Sequence, residues 1–373
     1  MASETKTWLA LYLVLLAACY MQHCVSSSQV PCLFIFGDSF SDSGNNNYIQ
    51  TTANANYRPY GIDLPGEPTG RATNGRTRID IIGQLLGFEN LIPPYANTTG
   101  YDILKGVNYA SISSGILDET GKKTAGTNIA LGLQIQNHKI IVSKVVAKLG
   151  GLAQATDYLS KCLYYVFIGT NDYSLNYFQP QYYPTNSIYN PEDYAQFLIN
   201  HLSAYLHDLH KNEARKLVLV GLDKIGCSPL AIADQAKLDG SCDEKQCVEK
   251  QNAAALIFNQ KLKNLTEQIN YHIRYSKTIF INSTAIALDK SVGFIVTNVS
   301  CCPTKANGFC FPNSIACTDR NEYVYFDGIH TTEAVNNLLA LASYNSASYP
   351  GVAYPIDINQ LAQYITGKET YSE

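Results

Sequence analysis

The 373-residue chain has no long apolar run after its first 28 residues, no block of like charge, no low-complexity tract and no internal repeat. Each absence removes a class of protein. A bilayer span needs about 20 consecutive apolar residues, so no stable membrane insertion is expected of the mature chain. The formal net charge of -4 comes from interspersed acidic and basic residues, which offers no basic surface to nucleic acid or anionic lipid. With nothing to divide it and 46% apolar residues to build a core, the stretch 29–373 is read as a single domain.

Three motifs are also missing. The cysteine-rich run 301–317 holds no Cys-x-x-Cys pair and no histidine at ligand spacing, so neither a metal nor a cofactor is expected. Gly37-Asp38-Ser39-Phe40-Ser41 lacks the final glycine of a Gly-x-Ser-x-Gly elbow. A trypsin-like site at Asp42-Ser43-Gly44 fails because no histidine precedes it in a suitable strand.

What the chain does contain begins with the pattern of export. Lys6, the apolar run Trp8 to Cys19 and small or polar residues through Ser28 follow the order of a secretory signal peptide, residues 1–28. Cys19 and Cys24 leave with it. Of the nine remaining cysteines, Cys227, Cys242, Cys247, Cys301, Cys302, Cys310 and Cys317 crowd the second half, where disulfides are expected with open connectivity and one cysteine left over. Sequons at Asn97, Asn264, Asn282 and Asn298 fit a secreted, extracellular glycoprotein.

Five strands are expected, at Cys32 to Phe36, Ile103 to Ser111, Leu163 to Gly169, Lys216 to Leu222 and Thr278 to Asn282. Helices are expected between them at Arg78 to Leu86, Gln134 to Leu149, Asp193 to Leu209 and Cys247 to Ile273. Alternating strands and helices imply an α/β fold, a three-layer α/β/α sandwich on a five-stranded parallel sheet of flavodoxin-like kind. Functional residues of such sheets gather where strands end.

The first strand ends at Gly37 and leaves Ser39 in a polar turn, which makes its hydroxyl the candidate nucleophile. The second is followed by Ala110-Ser111-Ile112-Ser113-Ser114-Gly115 and the third by Gly169-Thr170-Asn171-Asp172. Near the end, Asp327-Gly328-Ile329-His330 precedes Thr331, Thr332 and Glu333, a capping sequence for a helix through Leu338. A serine hydroxyl needs a base within hydrogen-bond reach, and the base needs a carboxylate to fix its tautomer. The segment Tyr173 to Tyr194, rich in tyrosine, is a candidate pocket wall because it directly follows Asn171. His201, His207 and His210 look like a solvated helix face, and His138 and His272 lack an acidic residue at matching spacing.

The order Gly-Asp-Ser, small-residue loop, Gly-x-Asn-Asp and Asp-x-x-His resembles the GDSL or SGNH hydrolase family in its plant esterase/lipase branch. The likeness spans FGDSFSDSGNNN, PYGIDLPGEPTGR, GVNYAS, GILDETG, GTNDY, LVLVGLDKIGCSP and YFDGIH. It implies Ser39 as nucleophile, His330 as base and Asp327 as its carboxylate partner. It implies an oxyanion hole formed by Ser39, Asn171 and a glycine of the second block. Many relatives read Ala-Ser-Gly-x-x-Gly there, whereas this chain keeps only Gly115, to which that donor is assigned. A donor at Ile112 would bring a side chain that crowds the substrate. The implied activity is cleavage of small-molecule or lipid carboxylic esters, in the apoplast or cell wall, with acyl transfer to an alcohol as the alternative. A catalytically dead carbohydrate-binding glycoprotein is disfavoured, because none of Ser39, Asn171, Asp327 and His330 is replaced.

Overall fold

The run Leu33–Gly37 (β1) is buried along its whole length, as an uninterrupted apolar strand covered on both faces must be. The computed structural model that contains it describes residues 28–239 and 246–366. The expected signal peptide lies outside the described residues except for Ser28, and Cys242 lies outside them too. Four further parallel strands follow, Gly106–Asn108 (β2), Leu163–Phe167 (β3), Lys216–Val220 (β4) and Lys277–Ile281 (β5). They stand in the order β2-β1-β3-β4-β5 with every neighbouring pair parallel.

Among the described residues the sheet has six strands, one more than expected. A small separate ribbon pairs Val296–Ser300 (β6) with Tyr323–Tyr325 (β7), and Ala353–Tyr354 (β8) then joins the main sheet antiparallel to β5. Two residues set between Pro350 and Pro355 carry no period-2 signal, which is why β8 escapes a reading of the sequence. The second strand is also shorter than expected. Ile103–Lys105 forms a 3-10 turn capped by Asp102, and past Asn108 the chain stays pinned to β1 by the amides of Tyr109 and Ser111, which donate to the carbonyls of Ile35 and Gly37 at 2.8 and 3.1 Å.

The helices that cover the sheet are Arg78–Leu85 (α1), Leu131–Leu149 (α2), Pro191–Lys211 (α3), Glu249–His272 (α5) and Glu333–Tyr344 (α6), whereas Pro229–Asp239 (α4) packs beside the β6 ribbon. Their ends follow from local chemistry. Thr77 and Asp80 close a capping box on α1, Asn190 caps α3 with Pro191 in its first turn, and Thr332 caps α6. Alternate strand residues face opposite layers. Phe34, Phe36, Tyr164 and Leu217 pack with Ile135 of α2, Leu198 of α3 and Phe258 of α5. Leu33, Ile35, Tyr165 and Val218 pack with Ile79 and Ile82 of α1 and Leu339 of α6. Burying each such side chain contributes about 1.5–3 kcal/mol.

Four disulfides join Cys32 to Cys162, Cys227 to Cys247, Cys301 to Cys317 and Cys302 to Cys310. The last two lie in a third apolar cluster, with Tyr60, Ile112, Phe309 and Phe326, beside the carboxyl edge of the sheet. The strand order reverses direction between β1 and β3, and at that switch point the loops leaving the two strands diverge to open a crevice. Ser39 follows one of these strands and Asn171 the other.

Candidate active site

The turn that carries Ser39 is tight because three backbone amides fold back on Asp38. The amides of Ser41 and Asp42 donate to its carbonyl at 3.1 and 2.9 Å, and that of Phe40 donates to its side-chain Oδ1 at 3.1 Å. The turn can start there only because position 37 is glycine, since a Cβ would lie 2.5 Å from the Phe167 carbonyl oxygen. Asp38 is fully buried, which pushes its carboxyl up to about 8, with the charges of Asp172 and Asp223 adding to the effect against the opposing Phe40 amide.

The polar run after Ser39 does not face solvent. Asp42, Asn45 and Asn46 are all buried. Asp42 accepts the amides of Gly44 and Asn45, each at 2.7 Å, and that of Ile112 at 3.1 Å. Asn45 donates to the carbonyls of Asn108 and Ala110, and Asn46 to those of Ala53 and Ile112. The run is therefore a buried strut between the loops that follow β1 and β2.

The loop after β3 is tied to the same region. Asn171 Nδ2 donates to the Ser114 carbonyl at 2.9 Å. Asp172 accepts the amides of Ile116 and Leu117 and the hydroxyl of Thr120 at 2.8, 3.1 and 2.7 Å. Gly115 sits inside this knot, away from the crevice. A Cβ there would come within 2.5 Å of Asp172 Oδ1 and 2.6 Å of Thr120, so packing accounts for the glycine. The second-block residues that line the crevice are Ile112 and Ser113. The Ile112 amide is already committed to Asp42 and Asn46, each at 3.1 Å. Ser113 stands at φ 65°, and its amide makes no hydrogen bond among the described residues.

Asp327 and His330 meet as their spacing suggested. His330 Nδ1 lies 2.8 Å from Asp327 Oδ2 and 3.0 Å from Oδ1, and the amides of Ile329 and His330 donate to Oδ1 at 2.8 and 2.7 Å. The His330 ring is held between Phe40 and Phe309, with ring centroids 5.4 and 5.6 Å away. One partner was not visible in the sequence. The Tyr60 hydroxyl donates to Asp327 Oδ2 at 2.6 Å while accepting the Cys310 amide at 3.0 Å. Burial and the adjacent Asp327 charge hold the Tyr60 phenol well above its ordinary range.

Ser39, Ser113, Asn171 and His330 line one cavity of about 1090 Å³. Asp327 is fully buried behind His330. Among the described residues the His330 side chain bonds only to Asp327, and contacts between a nucleophile and its base are often long in the absence of substrate. The tyrosine-rich segment divides its residues. Leu175, Phe178 and Tyr182 line the cavity, whereas Tyr173, Tyr177 and Tyr194 are buried and pack on one another.

The remaining histidines stand apart. His138 is buried among Phe34, Phe36, Tyr109 and Tyr164, and that burial pushes its imidazole down to about 3. His201 and His210 bond to the carbonyls of Phe197 and Ala214. Among the described residues no group of His, Cys, Asp or Glu could hold a metal ion, and no helix is long and apolar enough to cross a membrane.

With this geometry in view, comparison with known proteins is decisive. Residues 33–343 match the family model of the GDSL-like lipase/acylhydrolases. The chain belongs to that family. Three Arabidopsis thaliana proteins, each named GDSL esterase/lipase, are similar along nearly their whole length. One is 43% identical over 371 residues, covering 97% of this chain and 100% of that protein. A second is 46% identical, covering 90% and 92%, and a third is 42% identical, covering 95% and 98%. Membership makes the chain a carboxylic ester hydrolase.

The sequon asparagines fall in different settings. Asn97 and Asn264 are exposed, the latter on α5. Asn282 uses its Oδ1 to cap the turn Ser283–Ala285, and Asn298, on β6, borders the Ser39 cavity.

Proposed function

We propose that the protein is a secreted glycoprotein, one hydrolase domain after a cleaved leader, that cleaves carboxylic esters through an acyl-enzyme on Ser39. The observation that carries this reading is the convergence of Ser39, Asn171 and His330 on one cavity, with Asp327 bonded to the far side of His330. Asp327 accepts from His330 Nδ1, so that nitrogen carries the proton and Nε2 keeps the lone pair needed to take the Ser39 hydrogen. The Ser39 oxygen then attacks the ester carbonyl, the alcohol leaves with the proton that His330 returns, and water repeats the sequence on the acyl-enzyme.

The oxyanion in this reading is met by the Ser39 amide, by the second Nδ2 hydrogen of Asn171 and by the Ser113 amide in place of Gly115. Asn46 holds the Ile112 carbonyl at 3.1 Å. In a planar trans peptide the Ser113 N–H points the opposite way from that carbonyl. Each such donor is worth roughly 2.7–4 kcal/mol in comparable sites. Leu175, Phe178, Ile286 and Leu288 along the cavity favour an ester with a sizeable apolar acyl group. The four disulfides support export to an oxidising compartment.

A fluorophosphonate probe tests the core of this reading, because it should label the wild type and leave Ser39→Ala unlabelled. Equal labelling of both removes Ser39 from the mechanism. Product analysis with a polyol acceptor separates hydrolysis from acyl transfer: free acid should dominate, and ester exchange in excess would reverse the assignment.

A further inference from the structure

We infer that Tyr60 is a positioning residue for the ester cleavage proposed above, acting through Asp327 on the basicity of His330. The inference rests on that reading of Ser39, His330 and Asp327. Asp327 Oδ2 takes two donors, His330 Nδ1 at 2.8 Å and the Tyr60 hydroxyl at 2.6 Å. The Tyr60 oxygen accepts the Cys310 amide at 3.0 Å, so its own hydrogen is free to point to the carboxylate. The Cys310 amide donates to Tyr60 and Tyr60 donates to Asp327, so the first bond polarises the Tyr60 hydroxyl and makes it a stronger donor in a low-dielectric interior. Tyr60 and His330 then converge as two donors on one carboxylate oxygen.

Its construction shows that the hydroxyl is held, not incidental. Tyr60 is 0% exposed and its ring packs edge-on against Tyr57, Phe309 and Phe326. The Cys302–Cys310 disulfide fixes the loop that presents the Cys310 amide. Tyr57 donates to the Cys310 carbonyl at 2.9 Å and accepts from Lys305 Nζ at 3.0 Å, which closes the loop on its outer side. Among the described residues the titratable side chains that sense the Asp327 charge are Tyr60 and Tyr57 from one segment and Lys305 from another, while the cavity that His330 lines also carries Asp223 and Lys224. Of these, only Tyr60 touches the carboxylate.

The Tyr60 hydrogen bond draws negative charge from Asp327 and so limits how strongly the carboxylate holds an imidazolium. Removing it leaves a more basic carboxylate facing His330. In Tyr60→Phe the acidic limb of the kcat/KM profile should move to higher pH by roughly half a unit or more, since a hydrogen bond to a charged group exceeds the energy of one such unit. kcat on a short-chain p-nitrophenyl ester should fall roughly tenfold with KM little changed, because the substrate does not touch Tyr60.

The test compares the pH profiles of wild type, Tyr60→Phe and Ser39→Ala. An acidic limb that stays in place, with kcat within about twofold of wild type, overturns the role of Tyr60 while Ser39→Ala remains inactive. Full activity in Ser39→Ala overturns the catalytic reading and this inference with it. Should Tyr60→Phe fail to fold, site-specific 3,5-difluorotyrosine at position 60 keeps the ring and strengthens the donor. Its acidic limb should move to lower pH, and an unmoved limb again overturns the inference.

Discussion

Replacing Asp327 by asparagine changes one atom in a fully buried group and should nearly abolish turnover without unfolding the protein. Asp327 Oδ1 accepts the amides of Ile329 and His330 at 2.8 and 2.7 Å, bonds that an asparagine carbonyl can keep. Oδ2, which faces His330 Nδ1 at 2.8 Å and the Tyr60 hydroxyl at 2.6 Å, would become an NH2. That group donates where an acceptor is needed, so His330 must carry its proton on Nε2 and cannot take one from Ser39. The equivalent loss in serine proteases is about 10⁴-fold in kcat, which sets the upper bound here. Initial rates on p-nitrophenyl acetate measure kcat, and circular dichroism and thermal melting check the fold. In the proposed relay Asp327 works only through His330, so the double variant Asp327→Asn with His330→Ala should be little worse than His330→Ala alone. Fully additive losses, or a single-variant loss below tenfold, would refute the reasoning.

Two further outcomes concern stability. Asp38 has a folded-state carboxyl raised above its unfolded value of about 3.9 to about 8, so the stability it contributes is complete below pH 4 and is lost as pH rises toward 8. Asp38→Asn should therefore gain on the wild type between pH 5 and pH 8 by more than about 1.4 kcal/mol in urea unfolding, and a constant difference across that range would contradict the assignment. The Cys32–Cys162 bridge ties β1 to β3 across 130 residues, and replacing both cysteines by alanine should cost about 2–5 kcal/mol by the same assay, while a loss under 1 kcal/mol would show that strand pairing alone suffices.

The alternation of buried strand and amphipathic helix made the layers and the parallel core legible in the sequence, with strand ends displaced by two residues at most except in β2, which is three residues shorter at each end than expected. Legibility failed where order depends on partners distant in the chain. β8 is two residues long and exists because β5 offers an edge to Ala353 and Tyr354. β6 and β7 form a ribbon in which β6 buries no residue and β7 buries the consecutive pair Val324 and Tyr325, so neither shows the alternation of a half-buried strand. The disulfide connectivity could not follow from spacing, since any of the cysteines could pair until the fold brought them together. At the site, Asp327 and His330 were readable because they are three residues apart. Tyr60 was not, because it reaches Asp327 across 267 residues. Gly115 attracted the oxyanion role for being the one glycine kept in its block, and the fold adds a packing reason for that glycine, since a Cβ there would clash with Asp172 and Thr120.

The asparagine-rich turn shows what a composition argument cannot weigh. A run of Ser, Asp, Gly and Asn reads as solvated, yet Asp42, Asn45 and Asn46 are buried at the junction of three loops. A catalytic group must be held within about half an ångström of its productive position. Residues contributed by separate strands meet that demand only if the loops bind one another. Asp42 and Asn46 join the Ser39 loop to the Ile112 amide, Asn171 and Asp172 join the third loop to Ser114, Ile116 and Leu117, and each tie satisfies a buried backbone amide or carbonyl. The loop carrying His330 is attached differently, through Tyr60, through Thr73 to the Thr331 carbonyl and through Asn74 to the Glu333 amide. In the proposed reading the nucleophile and the oxyanion donors are thus bonded to one another, and segment 60–76 links them to the base, since Arg71 donates to the Ser43 carbonyl while Thr73 and Asn74 hold Thr331 and Glu333.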